Sequence, residues 1–101
     1  MTVNEADETF KRLIACKGVE GVIIMNSEGI PVRTTMPNNQ TVLYISLIHG
    51  LASKAKSVIK DMDHQNELTF IRLRSHKGEV LIAPDKEFTM IVVQNPNCAP
   101  S

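Results

Sequence analysis

The sequence predicts a mixed α/β (α+β) fold, one five-stranded and mainly antiparallel sheet carrying two helices in the order α-β-β-α-β-β-β. Three observations lead there. Residues 19–25 and 90–93 are apolar at nearly every position, as strands buried on both faces are. Three further short segments are bounded by turn residues. One long stretch, residues 41–62, repeats its apolar positions with helical spacing.

The first element reads as a helix. Thr2 and Glu5 fit a capping box, with Asn4 as a competing N-cap, and Glu5, Asp7 and Glu8 suit the positive end of a helix dipole. Ala6, Phe10, Leu13 and Ile14 form a narrow apolar stripe, and Gly18 is suited to end the helix. A strand over 19–25 follows, then Asn26-Ser27-Glu28-Gly29, where Gly29 can take a positive φ. Ile30, Val32 and Thr34 alternate with Pro31, Arg33 and Thr35; a proline inside this strand places it at a sheet edge.

After Met36-Pro37-Asn38-Asn39-Gln40, either asparagine could cap the long helix. Its apolar positions divide into a flank of Leu43, Leu47, Leu51 and Val58, a middle of Tyr44, Ala55 and Met62, and a flank of Ile45, Ile48, Ala52 and Ile59. Together they cover roughly 200°, about twice the stripe with which a surface helix covers one sheet. A second apolar surface is therefore expected against this helix. Strands over 68–74, 79–83 and 88–94 complete the chain, separated by Ser75-His76-Lys77-Gly78 and Pro84-Asp85-Lys86-Glu87. Placing the two apolar strands side by side puts the Ile30 strand at one edge and the Leu68 strand at the other.

The 101 residues form a single domain, ordered over about 4–96 with a loose tail at 97–101. A formal net charge of zero argues against general affinity for nucleic acid or an anionic membrane. The polar, acidic start is no secretory signal, and no apolar run approaches the ~20 residues of a membrane span, so the expectation is no membrane insertion and a cytoplasmic chain with reduced thiols. Cys16 and Cys98 lack metal or redox spacing, and His49, His64 and His76 have no partner ligands, so no metal, cofactor or small-molecule substrate is expected. No phosphate loop, nucleophile elbow or carboxylate pair is present, and four aromatic residues are too few for a base-stacking surface. Arg72 and Arg74, alternating on an edge strand, either discourage uncontrolled pairing or frame a specific strand-to-strand contact.

At this point the chain resembles the roadblock family of dynein light chains. The matching residues are Glu8-Thr9-Phe10-Lys11-Arg12-Leu13, Lys17-Gly18-Val19-Glu20-Gly21-Val22-Ile23 and Asn26-Ser27-Glu28-Gly29-Ile30-Pro31-Val32. They continue through Leu68-Thr69-Phe70-Ile71-Arg72-Leu73-Arg74, Ala83-Pro84-Asp85-Lys86 and Ile91-Val92-Val93-Gln94-Asn95-Pro96. The resemblance implies a roadblock/profilin-like, non-catalytic subunit that dimerises with itself or a related roadblock light chain. The long helices would pack antiparallel and the third strands would join two sheets into one of ten strands. The expected interface is Tyr44, Ile45, Ile48, Ala52, Ala55, Ile59, Leu68, Phe70, Ile71, Arg72, Leu73 and Arg74.

The resemblance further implies binding to the dynein intermediate chain, a role in motor assembly and cargo linkage, and a microtubule-associated location. Because profilin-like relatives add a terminal helix after the last strand, apolar sheet surface near Phe10, Leu13, Ile14, Ile91 and Val93 is the expected seat for that partner. Related roadblock domains are scaffolds that regulate small GTPases, which is the alternative reading. His64, where relatives carry proline, and the tail with Cys98 depart from the family pattern.

Overall fold

A computed structural model describes residues 2–95; the tail expected to be loose, with Cys98, lies outside them. The elements are α1 (Val3–Ile14), β1 (Val19–Asn26), β2 (Pro31–Thr34), α2 (Asn38–Met62), β3 (Ile71–Arg74), β4 (Glu79–Pro84) and β5 (Phe88–Gln94). The sheet order is β2-β1-β5-β4-β3 and every neighbouring pair is antiparallel. The expected fold is therefore present, with the two most apolar strands adjacent in the centre.

Local chemistry explains most boundaries. The Glu5 N–H donates to Thr2 Oγ1 at 3.1 Å and the Thr2 N–H to Glu5 Oε1 at 3.3 Å, completing the capping box of α1. The helix stops at Ile14, earlier than the Gly18 terminator suggests. Gly18, with φ of 90°, instead turns the chain into β1. Between β1 and β2 the Asn26 carboxamide oxygen accepts from the N–H groups of Glu28 and Ile30 at 2.9 and 3.0 Å, and Gly29 has the expected positive φ of 82°.

Two boundaries differ from expectation. Neither asparagine caps α2: Pro37 is its N-cap, and the Pro37 carbonyl accepts from the Thr41 N–H at 2.9 Å. The buried Thr41 hydroxyl, 2.9 Å from Thr34 Oγ1, ties this first turn to β2. The third strand begins at Ile71, leaving Leu68 and Phe70 outside it. Extending the register of Ile71 with Ile82 backwards would set Thr69 opposite Pro84, which has no N–H to donate.

The sheet is covered on both faces. Ile23, Met25, Ile82 and Ile91 meet Ile45, Ile48 and Ala52 of α2. On the other face Ile24, Met90 and Val92 meet Ala6 of α1, with Phe10 and Leu13 beside them. Each fully buried aliphatic side chain of this kind contributes about 1.5–3 kcal/mol. By length and composition α2 is the one described helix that would suffice to cross a membrane, contrary to the expectation from apolar runs. Here its most buried stripe lies on the chain's own sheet.

Candidate functional site

The surface with the most pronounced chemistry begins on α2. Ile48 is 5 % exposed and packs with Ile45 and Ala52 into the core, whereas Leu47 is 64 % and Met62 77 % exposed. Leu43, Leu51 and Val58 share the exposed flank with Leu47. The wide apolar arc is thus real, but its two flanks are exchanged relative to expectation. Ile45, Ile48 and Ala52, assigned to an intersubunit contact, are instead packed on the sheet of their own subunit, and the buried Thr41 lies on the same stripe. Tyr44, Ala55 and Ile59 lie at intermediate exposure.

The apolar flank leads towards β3. Tyr44 shares a cleft of about 370 Å³ with Leu73, Val80 and Val93. In β3 the alternation is complete: Ile71 packs towards the α2-side core, and Leu73 lines that cleft. Arg72 and Arg74 project from the opposite face of the sheet. Leu68 lies half-buried before the strand, and Phe70 is exposed there.

Both arginines converge on a carboxylate that sequence reasoning passed over. Glu79, at the start of β4, has no exposed side-chain surface. Its Oε1 accepts from Arg72 Nη2 at 3.0 Å and from Gln94 Nε2 at 2.8 Å, and its Oε2 from Arg74 Nε at 2.9 Å. The Arg72 hydrogen bond, opposed by burial and reinforced by Gln94 and Arg74, holds the carboxyl below its ordinary value. A signal existed: Arg74 and Glu79 flank the Ser75–Gly78 turn, so a hairpin must set them opposite each other.

The residues expected to seat a partner do not share one surface. Phe10 and Leu13 pack on the α1 face, and Ile14 is exposed. Ile91 is fully buried beneath α2 on the other face, and Val93, two residues on, has the same orientation. Among the described residues no three His, Cys, Asp or Glu side chains gather as a metal site. A second cleft, of about 340 Å³, is lined by Lys56, Lys60, Leu68 and Lys86 with Glu67 and Asp85.

The Roadblock/LC7 domain matches residues 5–95, nine-tenths of the chain. The chain belongs to the Roadblock/LC7 domain family. Solved structures share its fold at low identity. The Roadblock/LC7 domain from Streptomyces avermitilis has a TM-score of 0.75 at 8 % identity, over 82 % of this chain and 71 % of that one. The gliding protein MglB from Thermus thermophilus gives 0.76 at 11 %, over 95 % and 75 %. Myxococcus xanthus MglB gives 0.77 at 14 %, over 98 % and 82 %.

These neighbours correct the narrower expectation. They are a bacterial roadblock domain and bacterial MglB proteins, and none of them is named as a dynein light chain. The assignment as a dynein light chain is overturned, and the intermediate-chain partner and the microtubule-associated location fall with it. Membership of the roadblock family stands.

Proposed function

We propose that this roadblock domain is a non-catalytic scaffold that self-associates, or pairs with a related chain, and regulates a small GTPase. The observation that carries the self-association is the exposed apolar flank of α2, running from Leu43 through Leu47 and Leu51 to Val58 beside the open β3 edge. Monomeric proteins rarely leave so continuous an apolar strip in water. A second copy laid antiparallel along α2 would cover it, and pairing at β3 would satisfy that edge's unpaired backbone groups.

The regulatory half is supported by the family and by likeness to MglB. The experiment is titration of the purified chain with candidate small GTPases in their GDP and GTP states, following binding and hydrolysis rate together. Nucleotide-dependent binding, with hydrolysis altered only when the GTPase is present, is expected. Equal affinity for both nucleotide states across the GTPases tested, with unchanged hydrolysis, would overturn that half.

A further inference from the structure

The least expected group in the molecule is the Glu79 carboxylate. A well-packed apolar set in place of the whole cluster of Glu79, Gln94 and the two arginines could be as stabilising, since a buried ion pair seldom recovers its full desolvation cost. What the carboxylate supplies is placement. The register sets Arg74, Glu79 and Gln94 in one row across β3, β4 and β5, with Arg72 on the diagonal. Both guanidinium groups are thereby held on one face of a strand that has four paired residues and, among the described residues, no neighbouring strand on its outer side.

We infer that Glu79 is the positioning residue for self-association, locking the register of the β3 edge so that a second copy meets it in a single alignment. The inference rests on the self-associating reading above. A slip of one residue would carry Arg72 and Arg74 to the α2 side and turn Ile71 and Leu73 away from it. Such a slip would break both arginine hydrogen bonds to one buried carboxylate, which Gln94 of β5 holds in place. In a two-fold pairing each edge is read by an identical edge, so an error in register on one copy is met by the same error on the other. The exposed parts of Arg72 and Arg74, 42 % and 58 % of their side chains, lie on the edge strand itself. Gln94 extends the anchor two strands inward, where no intersubunit contact through β3 can reach it.

The test compares wild type, Glu79→Gln and Gln94→Met by sedimentation equilibrium over a wide concentration range, with hydrogen exchange on the same samples. Glu79→Gln is expected to raise the dimer Kd at least tenfold and to accelerate exchange at residues 71–74, while β1 and β5 keep their protection. Gln94→Met preserves shape and removes one donor, so a rise of a few fold in Kd is expected through Glu79 alone. If Glu79→Gln does not fold, Gln94→Met decides: an unchanged Kd overturns the inference. Loss of β1 and β5 protection in step with β3 assigns Glu79 a merely structural role and also overturns it. A wild type that is monomeric at every concentration overturns the self-associating reading itself, before any substitution is made.

Discussion

The imidazole of His49, midway along α2, lies against Gly29 in the turn between β1 and β2. Its Nε2 is 3.2 Å from the Ser27 carbonyl oxygen. A Cβ placed on Gly29 would approach the ring to 3.2 Å, and the backbone there has φ of 82°. The turn and the helix are therefore fitted to each other around a missing side chain. Gly29→Ala should destabilise the domain by about 1–3 kcal/mol, from left-handed backbone strain plus ring contact. In a His49→Ala background the contact component vanishes and the strain remains. Chemical denaturation of the four-member cycle measures the difference, and equal costs in both backgrounds would show that the ring is not pressed.

Acid should loosen the β3 edge. Glu79 is held below its ordinary value of 4.5 in the folded chain. A carboxyl with a lowered folded value contributes stability above its unfolded value and loses it as pH falls through the folded one. The contribution is thus complete above about 4.5 and declines below it. Glu79→Gln should flatten the dependence of unfolding midpoint on pH in that range, and an unchanged slope would remove Glu79 from the acid response.

The two flanks of α2 should respond oppositely to charge. Leu47→Glu, on the exposed flank, is expected to leave the unfolding free energy within about 0.5 kcal/mol of wild type at concentrations too low for either chain to associate, as surface changes do. Sedimentation should show it monomeric. Ile48→Glu buries an unpaired charge against Ile23 and Ile91 and should unfold the domain outright. Circular dichroism separates the cases; a folded Ile48→Glu chain would contradict the placement of this helix.

Loss of the first capping residue should be felt locally. Thr2→Ala removes the acceptor for the Glu5 N–H and should cost about 0.5–2 kcal/mol. Hydrogen exchange should rise in the first turn of α1 while β1 and β5 stay protected. Uniform exchange across the chain would mean that α1 does not open independently.

Strand order and both sheet edges were readable because apolar runs, Pro31 and the turn residues all carry local signals. The arc on α2 was equally legible in width. Which of its flanks meets the sheet was not, since leucine and isoleucine are interchangeable on a hydropathy wheel and the choice depends on where the helix crosses. Ile48 and Leu47 are neighbours in sequence and differ by burial alone. Glu79 was missed for a related reason. A glutamate at the head of a strand reads as solvated, and only the pairing with Arg74 and Gln94 shows that it is enclosed. Among the residues expected near α1, Ile91 and Val93 fell on the other face because β5 is apolar at consecutive positions and periodicity gives no side.

The irregularity on the far edge has a consequence for size. At β2 the register shifts between Ile24 and Met25, and the strand opens with Pro31, which offers no N–H outward. The opposite edge at β3 is regular over its four residues. Strand addition therefore has one permissive end and one blunted end. A chain that joins through the permissive end consumes it, and two such chains present only blunted ends to a third, so a ribbon begun this way terminates at two copies instead of elongating into a fibre.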